Sequence, residues 1–277
     1  MGTRGRRIGL FVLSAALVAA ATAGADSQDT TRPPAATPAV DVIGTTLRAR
    51  LPDGTTLEGR ALAGAVLTVA VGGRMLRIRI AAVEPDARDP KGEVLLHDFR
   101  VQTPAGEEPL CAPDPDGRRL DLAIAGRSDP AGFLVPGDDN FELVCTGGPQ
   151  GKCVRFGYGP WRQAPDGRPL RDWYNACVRM LRGDYCGDGR PFTRDGTWID
   201  LYDTLGVQKT DGDPTLAFEA GWDANGAVCV ARPRLSDVVT LNRLAAICPR
   251  LKDRVGSMCT EDKARALGAT LFNRSKP

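Results

Sequence analysis

Six carboxylates in the second half of the chain have the residue type and spacing to do chemistry. Asp184, Asp188 and Asp195 fall at the first, fifth and twelfth positions of a calcium-loop register, with Gly189 at the sixth, where such a loop turns sharply. A helical pattern precedes them. The third position, however, is Cys186, a poor ligand for a hard cation, and Pro191 interrupts the loop. Asp and Gly are also common turn residues, since Asp hydrogen-bonds its own backbone and Gly reaches positive φ. The expectation is therefore a turn, and no metal or other cofactor is assigned. Asp200, Asp203 and Glu219 lie on or beside predicted strands. A pair of such acids is what glycoside hydrolysis needs, one as acid and one as base or nucleophile. Sequence spacing does not set their separation, and Asp200 and Asp203 are also ordinary strand-end residues, so no catalytic residue is assigned.

Other chemistries are starved of residues. His97 is the single histidine, and it sits in a predicted strand. Serine- or cysteine-nucleophile chemistry would have to route through it, and no G-x-S-x-G elbow is present. All eight cysteines lie beyond residue 100: Cys111, Cys145, Cys153, Cys177, Cys186, Cys229, Cys248 and Cys259. None forms a C-x-x-C pair, which argues against a thioredoxin-like enzyme and a zinc ribbon. An even count in an exported chain reads as disulfides, with the pairing left open.

Export is read from the N-terminus. Arg4, Arg6 and Arg7 precede an apolar run from Ile8 to about Ala23, which ends in small residues before the first acid, Asp26. That is the order of a cleavable signal peptide, residues 1–25, cut near Ala25. The run is short and Ala-rich for a membrane span, so no stable span is expected after cleavage. Residues 26–39, rich in Pro, Thr and Ala, read as a disordered tether. Without the signal, 33 basic residues face 34 acidic ones. A near-neutral chain offers no field for nucleic acid, and none is expected as a partner.

The elements that must position these residues fall in two groups. Residues 40–102 read as a β-rich portion. Asp53-Gly54 and Gly72-Gly73 each separate two alternating runs, the mark of a hairpin, and Leu76 to Ile80 alternates apolar residues with arginine. Residues 93–103 and 141–145 read as further strands. Residues 103–277 read as a disulfide-stapled α+β portion. Leu170, Tyr174, Cys177, Val178 and Leu181 share one face of a helix that stops at Gly183. Asn225-Gly226 marks a third hairpin. Residues 236–248 read as a helix ending before Pro249, and Thr260 caps a short one ending at Gly268. All four tryptophans and all four tyrosines lie after Cys145, as an aromatic core or, on the competing reading, a ligand groove. The fold class expected is α+β.

Four stretches then take on a common meaning: "CTGGPQGKCVRFGYGPW", "ACVRMLRGDYCGDGRPFTRDGTWIDLYD", "FEAGWDANGAVCV" and the closing "LFNRS". Together they resemble the bacterial exported ADYC-domain proteins, named for an Ala-Asp-Tyr-Cys motif that reads Gly183-Asp184-Tyr185-Cys186 here. The resemblance implies an exported bacterial protein and carries no activity, ligand or site. The reading is an envelope or secreted, disulfide-stabilised module that binds rather than catalyses, placed in the periplasm or outside the cell. Its partner is unknown, and the export context points to an envelope protein or a glycan. The alternatives are a carbohydrate- or peptide-acting hydrolase using paired carboxylates, and a calcium-stabilised extracellular module.

Overall fold

The structure is a computed structural model, and it describes residues 15–18, 38–71, 74–137 and 140–276. The chain divides into two compact units, Met1–Arg127 with Val135–Gly148, and Ser128–Leu134 with Pro149–Pro277. The tether, apart from its last residues, lies outside the described residues, and so does the signal segment apart from Ala15–Val18.

In the first unit, strand β1 (Ala15–Val18) is followed by β2 (Ala39–Ile43), β3 (Thr46–Arg50), β4 (Thr56–Glu58), β5 (Val66–Val71), β6 (Arg74–Pro85), β7 (Leu95–Thr103), β8 (Gly106–Pro109) and β9 (Asp121–Ala125). Two short strands, β10 (Arg127–Ser128) and β11 (Leu134–Val135), lie where the chain passes between the units, and β12 (Phe141–Cys145) is the last strand of the first. The large sheet runs β1-β5-β6-β7-β9-β12, with β8 also on β7, and β2-β3-β4 form a small sheet. Both glycine-marked hairpins are present: β3 pairs β4 around Asp53-Gly54, and β5 pairs β6 from Val66↔Arg79 to Val71↔Arg74. The alternation along β6 does its work, since Ile78 and Ile80 are buried while Arg77 is exposed. Leu47 and Ala49 of the small sheet share one core with Leu67, Val69, Ile78, Ile80, Phe99 and Ala123 of the large one, the two-layer arrangement that lets each sheet bury its apolar face.

In the second unit, helices α1 (Pro149–Arg155) and α2 (Arg171–Arg182) precede β13 (Ile199–Asp203), β14 (Ala217–Asp223) and β15 (Gly226–Val230). Helices α3 (Leu241–Ile247) and α4 (Glu261–Ala266) and strand β16 (Leu271–Ser275) complete it. Its sheet is antiparallel, in the order β13-β16-β14-β15. The fold class is α+β, and among the described residues the α-helices lie in the C-terminal half. Trp173 to Met180 are all buried, so α2 is enclosed on every side rather than along the single face its apolar pattern predicts. Leu170 is the residue before the helix and not its first turn. The helix expected over 236–248 starts only at Leu241, because Thr240 holds an extended conformation and accepts a hydrogen bond from the Arg243 amide as its N-cap.

The eight cysteines form four disulfides, Cys111–Cys145, Cys153–Cys177, Cys186–Cys248 and Cys229–Cys259. The second joins α1 to α2, the third ties the turn after α2 to the end of α3, and the fourth fixes the approach to α4 against β15. On α4, Thr260 accepts a hydrogen bond from the Lys263 amide, as its sequence predicts. Thr260→Ala is expected to cost about 1 kcal/mol. Urea unfolding followed by tryptophan fluorescence reads this directly, since every tryptophan lies in this unit.

Candidate functional site

The motif that stands out in the sequence is a junction. Gly183 ends α2 in the left-handed region, φ 59°, and a Cβ there would lie 2.8 Å from the Phe192 carbonyl oxygen. Asp184 then turns inward. It is fully buried and accepts hydrogen bonds from the Gly187 amide at 3.0 Å, the Gly189 amide at 2.9 Å and Arg179 Nη1 at 2.6 Å. Arg179 also donates to the Ala131 carbonyl, which clamps the 128–134 loop to α2. Tyr185 sends its hydroxyl into the core, and Cys186 bonds Cys248. Gly187 meets the tip of the β14–β15 hairpin, where a Cβ would fall 1.7 Å from the Asn225 carbonyl oxygen.

The six carboxylates do not converge. Asp188 and Asp195 are exposed, and Asp188 accepts only from the Arg190 amide in its own turn. Asp184 points away from them into the protein, so the calcium-like spacing does not become a ligand cage. Asp200 accepts from the Thr210 hydroxyl at 2.6 Å and the Asp211 amide at 3.2 Å. Asp203 accepts from the Tyr158 hydroxyl at 2.6 Å and from the amides of Leu205, Val207 and Gln208. Burial and then the Asp203 carboxylate push the Tyr158 phenol well above its usual range, so it stays a proton donor.

Glu219 lies in a third place, fully buried on β14. Its Oε1 accepts from the Tyr185 hydroxyl at 2.9 Å, from Arg234 Nε at 2.9 Å and from Arg234 Nη2 at 2.7 Å. The Arg234 amide donates in turn to the Tyr185 oxygen at 3.1 Å. Burial works against the Arg234 charge, yet Glu219 and Tyr185 outweigh it and hold the guanidinium above its ordinary value. The Tyr185 phenol is raised by burial first and the Glu219 charge second. A buried ion pair of this kind holds its geometry because leaving either partner alone is costly. Arg179 and Arg234, the cations that fix these acids, carry no local sequence signal beyond being arginines next to apolar residues.

Aromatic residues in this unit go to the core. Trp173, Trp222, Tyr158, Tyr174 and Tyr185 are fully buried, and Tyr185 stacks on Trp222 with centroids 5.2 Å apart. Trp198 is the exposed one.

The first unit contains two polar features. An open cleft is lined by Val40 to Ile43 on β2, Arg48, Ala125, Gly137, Asn140 and Phe141. Arg48 grips Asp41 through two hydrogen bonds, 2.8 and 2.9 Å, at the rim, and Ile43 is exposed beside it. The other feature is internal. His97 on β7 pairs with Asp121 on β9, and Asp121 pairs with Cys145 on β12, so the three lie in a row across the sheet. His97 and Asp121 are fully buried, and the His97 ring has at most a poorly aligned contact with the Asp121 main chain. Burial lowers the His97 imidazole to about 4, with the Asp121 main chain opposing it. Burial also raises the Asp121 carboxyl to about 8, against the opposing hydrogen bond from the Phe99 amide. Both groups are uncharged at neutral pH. Asp121 escapes a sequence reading because the only hint is one acid opening an apolar run, "DLAIA".

Among the described residues no helix is long and apolar enough to cross a membrane. No curated protein and no solved structure matches the chain significantly. The sequence model of the ADYC domain matches residues 59–236, a span that covers β5 through β9, the four-residue junction and the Glu219–Arg234 pair. With well over half its length matched, the chain belongs to the ADYC-domain family.

Proposed function

We propose that the protein is an exported, disulfide-stabilised module of a bacterial envelope or its surroundings, and that it binds a partner rather than turning over a substrate. Four disulfides with no free cysteine suit an oxidising compartment outside the cytoplasm. The basic, apolar and small-residue order of residues 1–25 supports export by a signal peptide. The observation that carries the binding reading is the commitment of the acids. Asp203 accepts four fixed donors, and Glu219 is locked to Arg234 and Tyr185. A general acid or base must instead reach a substrate proton across about 3 Å of open site. The cleft of Asp41, Arg48, Asn140 and Ile43 offers mixed polar and apolar contacts of the kind binding needs.

The test takes the full chain against peptidoglycan fragments, envelope polysaccharides and peptides, scoring both saturable binding by calorimetry and turnover by mass spectrometry. The expected result is binding without turnover, weakened about tenfold by Arg48→Ala, the loss of one rim contact worth about 1.4 kcal/mol. Turnover that disappears in Asp200→Asn would replace binding with hydrolysis.

A further inference from the structure

The Cys111–Cys145 disulfide differs from the other three in what lies against it. Asp121 Oδ1 lies against Cys111 Sγ, and a carboxylate oxygen and both sulfurs lie within 4.8 Å of one another. With the sulfurs joined to each other this is not a metal centre, but a disulfide with a carboxyl group at one end. Cys111 is buried and Cys145 is half-buried, so the two residues differ in access. The register explains the approach: Asp121 and Cys145 are direct partners across β9 and β12, and Cys111, two residues beyond β8, closes on the same spot. In no other disulfide of the chain does a carboxylate oxygen reach a sulfur within hydrogen-bonding distance among the described residues.

We propose that Cys111–Cys145 is an exchange-active disulfide that accepts electrons from a thiol partner, with Asp121 as the proton donor to the departing Cys111 sulfur. The step is a displacement along the S–S axis. A partner thiolate attacks Cys145 Sγ and forms a mixed disulfide with it. The Cys111–Cys145 bond breaks, its electron pair passes to Cys111, and the Asp121 carboxyl proton moves to that sulfur, leaving Asp121 as the carboxylate, which solvent reprotonates. A second thiol of the partner, or a second thiol molecule, then releases Cys145 as a thiol. The disulfide is reduced by two electrons and the partner's thiols are oxidised to a disulfide. A leaving thiolate in an apolar interior is a poor leaving group, since burial raises a thiol's pKa and exchange is faster for a stabler leaving thiolate. A neutral acid already in contact with the sulfur removes that obstacle. The other ionisable groups around Asp121 do not compete for this role. His97 faces it from β7 and is neutral. Asp98 and Arg100, also on β7, are tied to each other at 2.6 Å. Arg119 reaches the Cys111 carbonyl at 3.5 Å.

The test is partial reduction of the full native chain by dithiothreitol, quenched with isotope-coded alkylating reagent and mapped by peptide mass spectrometry. Cys111–Cys145 is expected to open first, at least tenfold faster than any other disulfide, with the initial adduct on Cys145. Per thiolate, its rate is expected to fall as pH rises through about 8, where Asp121 loses the proton it must give. Asp121→Asn is expected to remove that pH dependence and slow opening below pH 7 by on the order of a hundredfold, the usual reach of general acid catalysis. Opening of all four bonds together, or an Asp121→Asn rate equal to wild type at every pH, would overturn the proposal. If Asp121→Asn does not fold, the order of opening and the wild-type pH profile still decide it: a per-thiolate rate that does not change through pH 8 refutes it.

Discussion

Asp121→Asn is expected to stabilise the first unit at pH 7 to 8 and to leave it nearly unchanged at pH 4. The sign follows from which state holds the proton. In the folded protein the Asp121 carboxyl is raised to about 8, by burial above all, while in the unfolded chain it titrates near 3.9. Between those values the folded state keeps a proton that the unfolded state has released, so stability is full below about pH 4 and is lost as pH rises toward 8. Three pH units across that window correspond to on the order of 4 kcal/mol at pH 7. Asparagine has nearly the same shape, still presents a polar group to the Phe99 amide and never ionises, so it does not incur this loss.

His97 bends the profile the other way. Its imidazole titrates near 4 when folded and near 6.5 when unfolded. Its contribution is present above about pH 6.5 and lost as pH falls through 4. Wild type is thus squeezed from both sides, and the variant only from the acid side. The readout must belong to this unit. All tryptophans lie in the other one, so hydrogen exchange of peptides spanning Leu95–Thr103 and Asp121–Ala125 is the appropriate measure. Equal protection of wild type and variant at pH 8 would mean that Asp121 is charged and solvated in the native protein. That result would remove the acid from the disulfide chemistry as well.

Local signals survived into the structure where one short segment decides its own conformation. The hairpins expected at Asp53-Gly54 and Asn225-Gly226 both form, the first around the five-residue loop 51–55 and the second around Ala224-Asn225, with Gly226 opening β15 opposite Asp223. Thr260 caps α4 and Gly183 ends α2 for equally local reasons. What the sequence left open depends on distant segments meeting. Strand β16 enters its sheet between β13 and β14 although it is last in the chain, and nothing within "LFNRS" specifies that place. The enclosed middle of α2 carries Asn175 and Arg179, polar residues that look solvent-facing until Leu134 and Asp184 are found opposite them. The disulfide pairing is of the same kind. So are the carboxylates: their types suggested chemistry, but whether an acid is a ligand, a catalyst or a turn lock is decided by donors far along the chain. Asp184 and Asp203 found backbone amides, and Glu219 found an arginine. Asp121 found a sulfur.

Glu219→Gln is expected to destabilise the second unit by about 3 to 5 kcal/mol, the cost of removing one member of a buried ion pair. Arg234 has no exposed side-chain surface, and its Nη2 already donates to the Met180 carbonyl at 2.8 Å. The carboxylate it would lose is the charge that holds it, and a neutral glutamine oxygen has two lone pairs where the charged Oε1 now accepts three hydrogen bonds. Arg234→Met would leave the complementary fault, a buried carboxylate served by Tyr185 alone. The double variant Glu219→Leu with Arg234→Met removes both charges together, and buried pairs replaced by apolar residues of similar volume are often near neutral. It is therefore expected to recover most of the loss, with a coupling energy of about 2 kcal/mol or more. Urea unfolding of wild type, Glu219→Leu, Arg234→Met and the double variant, followed by tryptophan fluorescence from Trp222, which stacks on Tyr185 beside the pair, measures this cycle, and Glu219→Gln is unfolded beside them as a fifth protein. A Glu219→Gln protein within 1 kcal/mol of wild type would show that Glu219 is not locked, and would return it to the acids available for catalysis. Tyr185, between the aspartate and the cysteine of the motif, is the group that ties the junction after α2 to the charge pair on β14.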